Sequence, residues 1–478
     1  MGNETTSSKF KINHFANTFF LVEAKDSSIA CDPWVGKTTD NGWFSYPIKN
    51  TKEIENRVFN SNFIYISHLH CDHLDFKTLK KFKNKNLTFI IKKFENGHLK
   101  KKLQKFTNKK IIELEPFKKK KINKDFTIAI IPATMTNSGN LPDHIQYDLD
   151  TAIIIQSNQN KTLFYNNVDM PLNLDVLKKV NNFIKKEFKK KVDVFCCALG
   201  AASEFPQCFL NLNRNNEKKK IISETLNAIQ TYLKYLKPKI YFPGGGTYAI
   251  YGKYNKLNKF IAQPSFSQVK SHVNNVETKL CKIIGGGSIT FDKSKYTIIE
   301  KINSKEKKIK QKFINQIKDL SYYYSYKNKK ININKLDKTF LNAEKNYQRI
   351  LSKKKIDTKW NIDFNIFRKL ELNDNCKINK KKSKFIKKYN LKNYNSKSKD
   401  AAYDAVGSII PAIDGVENKE FKKGIFNLEC FMEYQLFNSL LMGKFPWNTS
   451  LSGSTIMYNR NPNKFNVDMV FSLNFLRI

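Results

Sequence analysis

The chain has 478 residues, and 85 Lys and Arg against 42 Asp and Glu leave a net charge of +43. Forty per cent hydrophobic and 13% aromatic content supports a sizeable core and excludes global disorder. Arginine occurs only at Arg57, Arg214, Arg349, Arg368, Arg460 and Arg477, so the charge is lysine interspersed with Asn and Ile, a texture of A+T-rich coding. Nucleic-acid recognition favours the bidentate fork of Arg, so a nucleic-acid partner is not expected. No apolar run approaches the ~20 residues that a membrane span requires, and no signal-peptide core is recognised. Scattered cysteines without a disulfide framework are expected as reduced thiols in a cytoplasmic protein.

In chain order, "TFFLVEAKDSSIACDPW" predicts a hairpin turning at Lys25–Ser28. "NFIYIS", "LTFIIKK" and "FTIAIIPA" predict further strands, and "TAIIIQSNQNKTLFYNN" predicts a second hairpin around Asn158–Asn160. "VDVFCCAL" and "KIYFPGGG" read as buried strands around a helix at Glu217–Leu236, where Ile221, Leu226, Ile229 and Leu233 share one face. This order suggests a layered α/β fold over residues 1–300. Residues 301–478 form a lysine-rich, mostly helical extension expected to pack on that core. There, "CKINKKKSKFIKKYNLKNYNSKSKD" reads as a solvated linker, and Ile425, Leu428, Met432, Leu436 and Leu440 as a helical stripe. A final strand is predicted in "VDMVFSLNFL".

The chemistry concentrates in Phe63–Asp75, "FIYISHLHCDHLD", which holds His68, His70 and His73 although the whole chain has 7 histidines. Alternate residues of an extended segment project to one side, so His68, His70 and Asp72 can converge. His73 points elsewhere unless the chain turns. Imidazole with carboxylate suits zinc or iron and not calcium or magnesium. Cys71 is expected to point away as a small filler.

"SHLHCDH" resembles the metal-binding signature of the metallo-β-lactamase fold, which implies a four-layer αβ/βα sandwich with metal at one edge. The resemblance implies a bridging role for Asp169, after the strand "TLFYNNV". Four blocks in order, "DPWVGKTTDNGWFSYP", "GAASEFPQCF", "PGGGTYAIYGKYNKLN" and "FPWNTSLSGSTIMYNRNP", are similar to segments of the CMP-N-acetylneuraminate hydroxylase family. That family carries an N-terminal Rieske [2Fe–2S] domain needing two Cys and two His. The only C-x-H here is Cys71–His73, inside the metal motif, so the chain is expected to hold no Rieske cluster and to take electrons from a separate Rieske or ferredoxin donor.

Hydrolases of the wider fold usually place histidines where this chain has "PATM" and "PGGGTY". His144 in "LPDHIQYDLDTA" is the nearest substitute for the first, ahead of Asp150. The implied ligands are therefore His68, His70, Asp72, His73, His144 and Asp169, with Asp72 and Asp169 also in catalytic roles. One or two ions of iron or zinc are expected. A His–His–carboxylate set with open positions resembles a mononuclear iron site for oxygen chemistry. The family resemblance implies a sialic-acid-like or nucleotide-linked sugar as substrate, with Gln207, Tyr248, Lys253, Trp447 and Arg460 lining its pocket. The alternative is a lactonase- or phosphodiesterase-type hydrolase using a metal-activated water.

Overall fold

A computed structural model describes residues 9–47, 51–95, 97–133, 150–170, 172–200, 202–293, 295–324, 332–356, 358, 360–391, 426–464 and 466–478. Two mixed sheets face each other. The first has eight strands, running from the edge as Lys295–Ile299, Gly287–Asp292, Phe10–Ala16, Phe19–Glu23, Ser28–Cys31, Phe63–Tyr65, Thr88–Lys92 and Lys110–Leu114. The second has seven: Lys279–Leu280, Ile240–Pro243, Val194–Cys197, Leu163–Asn166, Thr151–Ser157, Phe126–Pro132 and Lys120–Lys121. Both expected hairpins form, Phe19–Glu23 on Ser28–Cys31 and Thr151–Ser157 on Leu163–Asn166.

Strand alternation distributes these apolar runs among three cores. Phe20, Val22, Ile153 and Ile155 point into the space between the sheets, with Ile12, Tyr65, Phe164 and Phe242. Their neighbours Phe19 and Leu21 face helices Thr51–Arg57 and His98–Phe106, while Ala152 and Ile154 face helices Leu174–Phe183 and Arg214–Leu236. Both faces of each sheet are covered, which is why the strands read as continuous apolar runs. The result is the αβ/βα sandwich of a metallo-β-lactamase-like fold. Asn213 caps the long helix by accepting from the backbone N–H of Asn216, and Lys237, in a left-handed conformation at φ 46°, ends it.

The sandwich's last strand ends at Ile299, and beyond it helices Glu306–Ile317 and Ile333–Lys354 precede a four-stranded sheet. Three local expectations fail there. Leu428 and Met432 lie on a strand, Phe426–Glu433, and only Leu436 and Leu440 lie on a helix, Tyr434–Leu441. A spacing of four residues is even, so it satisfies a strand's period as well as a helix's; Ile425 lies outside the described residues. Within the expected linker, Lys384–Leu391 forms the edge strand beside Trp360–Lys369. Its Lys384, Lys387 and Lys388 are exposed while Tyr389 and Leu391 are buried, and exposed lysines on an edge strand resist further pairing. The expected final strand is instead helix Val467–Ser472, capped by Asn466, followed by a 3₁₀ turn at Leu473–Phe475. Met469, Leu473 and Leu476 stand at helical spacing and are buried.

The extension shares one core with the loops of the sandwich. Trp360, Phe364, Phe437 and Trp447 pack with Trp34, Trp43, Tyr248, Tyr251 and Tyr254. Helix Trp447–Ser452 seats on the loop at Asp40–Trp43: Ser450 Oγ donates to the Asp40 carbonyl at 3.1 Å, the Gly42 N–H to the Gly453 carbonyl at 2.7 Å, and Trp43 Nε1 to Ser454 Oγ at 3.1 Å. A Cβ at Gly453 would collide with Asn41 and lie 2.9 Å from the Thr449 carbonyl. The two backbones approach too closely for any side chain.

Gly453→Ala is accordingly expected to destabilise the protein by about 1–3 kcal/mol, the usual cost of forcing an extra methyl into a packed contact. The chemical unfolding midpoint checks this, and an unchanged midpoint would show that the loop and helix do not meet so closely.

Candidate metal centre

The strand Phe63–Tyr65 continues extended through Ser67 and then turns. The N–H groups of His73 and Leu74 both reach the His70 carbonyl, at 3.0 and 2.8 Å, and Asp75 caps the short helix Phe76–Leu79. The turn brings His73 back beneath His68, with ring centroids 4.0 Å apart, and His70 stands 4.6 Å from His68. All three histidines therefore converge, although extended geometry alone would have sent His73 away.

Other strand ends bring carboxylates to this point. Asp150 precedes Thr151–Ser157, and its Oδ1 lies 3.3 Å from His68 Nε2. Asp169 follows Leu163–Asn166 beyond Val168, which is at φ +53°, and its Oδ2 lies 3.0 Å from His73 Nε2. Asp72 Oδ2 lies 3.3 Å from the same nitrogen. Among the described residues, two groups have ligand atoms within 4.8 Å of one another: His68, His73 and Asp169, and His68, His70 and Asp150. The sheets are tied together here, because Thr151 Oγ1 donates to the Ser67 carbonyl at 2.8 Å.

The surroundings orient these side chains. His73 Nδ1 donates to Asp32 Oδ2 at 2.9 Å, and Asp32 is fixed by the N–H and hydroxyl of Ser67, at 2.8 and 2.7 Å. A carboxylate on the far nitrogen sets the tautomer and aims Nε2 at Asp169 and Asp72. Asn17 Nδ2 donates to Asp72 Oδ2 at 3.1 Å, while the Asn17 carbonyl accepts from His14 Nε2 at 2.7 Å. From the extension, the Asn448 side-chain amide reaches His70 Nε2 at 3.3 Å.

Burial dominates the electrostatics. It holds the pKa of His68 well below the ordinary histidine value, with His73 and His70 adding to the effect, and it lowers His70 as well. Both rings are thus neutral, the form that ligates. His73 is raised despite its burial, because Asp72, Asp32 and Asp169 surround it. Burial, reinforced by Asp169, pushes Asp150 up to about 7. For Asp72 burial acts upward, but His73, His70 and a backbone hydrogen bond together outweigh it, and the net shift is downward. Asp150 Oδ1 and Asp169 Oδ1 are buried without a hydrogen-bond donor. Asp150 Oδ1, grouped with neutral His68 and His70, and Asp169 Oδ1, whose partner oxygen lies against His73, are therefore placed to accept a cation.

The structure thus gathers His68, His70, Asp72, His73 and Asp169; His144 lies outside the described residues, and Asp150 stands among the ligand candidates. Asp32 and Asn448 were not singled out from the sequence, although both fall in the quoted blocks "DPWVGK" and "FPWNTS". The signal for Asp32 was its position after a strand that pairs in parallel with Phe63–Tyr65. Cys71 stays out of the cluster, its Sγ accepting from Asn41 Nδ2 at 3.1 Å.

The five candidates for a substrate pocket are engaged elsewhere. Gln207 Nε2 donates to Tyr248 Oη at 3.0 Å, and both residues are buried. Lys253 pairs with Glu433, and Trp447 Nε1 donates to the Leu476 carbonyl at 2.9 Å. Arg460 lies over the Phe209 ring at 4.6 Å, and burial lowers its pKa to about 10.

No protein-family model matches the chain. Over 59% of its length it is 24% identical to the cytidine monophosphate-N-acetylneuraminic acid hydroxylase of Pongo pygmaeus, covering 45% of that protein. A Mycobacterium tuberculosis protein described as a Rieske 2Fe-2S iron-sulfur protein is 29% identical over 33% of this chain and 30% of its own. The matched segments thus span less than half of these curated relatives. Among solved structures, CmlA, a diiron beta-hydroxylase from Streptomyces venezuelae, aligns over 60% of this chain and 55% of its own, with TM-score 0.40 and 14% identity. Igni18, a metallo hydrolase from Ignicoccus hospitalis, aligns over 59% and 99%, with TM-score 0.39 and 17% identity. The chain resembles metallo-β-lactamase-fold proteins in architecture and the hydroxylases in sequence.

His14 is buried beneath the centre, stacked on Phe20, and burial lowers its pKa to about 3. Unfolded, it titrates near the ordinary 6.5, so between these values only the unfolded state binds its proton. Stability from His14 is fully present above about 6.5, falls by up to about 1.4 kcal/mol per pH unit as pH drops, and levels off below about 3. In metal-free protein, His14→Gln should flatten unfolding free energy against pH across that window. Parallel curves for the two proteins would show that His14 does not carry the effect.

Proposed function

We propose that the chain is a metal-dependent enzyme that holds iron on His68, His70 and Asp150 and oxidises a sugar substrate. The observation carrying this reading is the carboxylate, Asp150, facing two neutral imidazoles. Two histidines and one carboxylate leave coordination positions open, the arrangement used by iron oxygenases. When bound, iron in such a set supplies dioxygen activation.

The protein's own groups have separable tasks. His68 and His70 present lone pairs because burial keeps them neutral. Asp32 keeps a proton on His73 Nδ1, so that Nε2 faces Asp72 and Asp169, the positions of a second ion. Asp169 offers a free oxygen, Oδ1, to a ligand or a transferring proton. The sheets and the Trp447–Ser452 helix keep bulk water from these groups, which strengthens every electrostatic interaction among them.

The likeness to cytidine monophosphate-N-acetylneuraminic acid hydroxylase supports a sialic-acid-like or nucleotide-linked sugar as substrate. The relatives described as Rieske proteins support a separate Rieske or ferredoxin electron donor. A second reading draws on the group of His68, His73 and Asp169 beside the first, with Asp72 Oδ2 3.3 Å from His73 Nε2. Two ions sharing this pocket would suit a hydrolase, with Asp72 or Asp169 orienting an attacking water.

Protein purified without added metal should contain iron, and Asp150→Asn should weaken iron retention by about tenfold or more. Zinc filling both groups, with iron absent, would overturn the oxidative reading and favour the hydrolase. Dialysis against chelators followed by elemental analysis makes both measurements.

A further inference from the structure

Every ligand candidate of the centre comes from the sandwich, yet one contact to them comes from the extension. Asn448, on helix Trp447–Ser452, is buried and lies against His70 Nε2 at 3.3 Å. The opposite nitrogen, His70 Nδ1, faces His68 Nε2 at 2.9 Å. His68 Nε2 in turn lies 3.3 Å from Asp150 Oδ1. Nδ1 is therefore the ligating atom of His70, and Nε2 is its outer atom.

With Nδ2 toward the ring, Asn448 would donate to Nε2 and require the ring's single proton on Nδ1, which would block ligation. A half-turn of the amide, which exchanges nearly isosteric ends, brings Oδ1 to the ring. Asn448 Oδ1 is buried without any other donor. In that orientation Nε2–H donates to Oδ1, and the Nδ1 lone pair points at His68 and Asp150. Asp32 performs the matching task for His73 from within the sandwich.

We infer that Asn448 is a positioning residue of the metal centre: its side-chain carbonyl accepts the Nε2 proton of His70 and so holds His70 as an Nδ1 ligand. Through it the extension becomes part of the site. The helix that carries it cannot drift, because Ser450, Gly453 and Ser454 hold it to the loop at Asp40–Trp43. That loop also holds the other side of the motif, through Asn41 Nδ2 on Cys71 Sγ. The inference rests on the reading of His68, His70 and Asp150 as a metal site.

The test is titration of cobalt(II), as the probe ion, into the full-length metal-free protein, following the visible ligand-field bands. Asn448→Leu keeps the side chain's shape and removes the acceptor, whereas Asn448→Asp keeps an acceptor for Nε2–H. Leucine should weaken cobalt affinity by about 10–100-fold, the usual cost of losing an orienting partner, and should shift the bands. Aspartate should stay within a few-fold of the parent, with unshifted bands, even where both variants change the melting temperature. The inference is overturned by unchanged affinity and bands in Asn448→Leu, or by aspartate weakening binding as much as leucine. Should Asn448→Leu not fold, Asn448→Ser against Asn448→Asp makes the same comparison. Failure of the parent itself to bind cobalt would instead sink the metal reading.

Discussion

Four carboxylates and three imidazoles crowd together at the end of the sandwich. Asp32, Asp72, Asp150 and Asp169 are each nine-tenths or more buried, as are His68 and His73. Burying even one unpaired carboxylate costs several kcal/mol, so such a cluster persists only where every charge has a partner. Much of the surrounding architecture follows from that demand. Strand ends from both sheets, the turn at His70–Leu74, Asn17 and the Trp447–Ser452 helix each supply a hydrogen bond or a charge to one member. Two acceptor atoms, Asp150 Oδ1 and Asp169 Oδ1, still lack a donor.

The divided loyalties of the histidines express the same constraint. His68 sits against another imidazole and is neutral, whereas His73 sits among carboxylates and is held protonated without a cation. A bound cation would take over the charge that His73 otherwise carries. Metal binding at this centre would therefore release protons.

The sandwich and the centre of the metal motif were legible in the sequence because both rest on short-range signals. Apolar runs bounded by turns located the strands, and His-x-His-x-Asp-His marked where the imidazoles gather. Asp150 was ranked behind His144, since a histidine is the commoner ligand and nothing local distinguishes a carboxylate beside a strand. The role of Asp32 depends on pairing between strands Ser28–Cys31 and Phe63–Tyr65, a long-range fact. The extension was the least legible part. Even-numbered spacing made a strand look helical at Leu428 and Met432, and lysines on an edge strand resembled a linker at Lys384–Leu391. The side chains with pocket-like chemistry at Gln207, Tyr248 and Arg460 turned out to satisfy one another or an aromatic ring.

His70 and Asn448 are 378 residues apart in sequence. Contacts of such separation form late, because a long loop must close before they are rewarded. During synthesis the sandwich strands emerge first and can pair while Asn448 is still unmade. A ribosome-bound chain can therefore hold the histidine motif without the amide that orients it. If Asn448 orients His70 as inferred, tight metal binding would await the arrival of the distant helix, and the order in which the residues appear would itself delay loading.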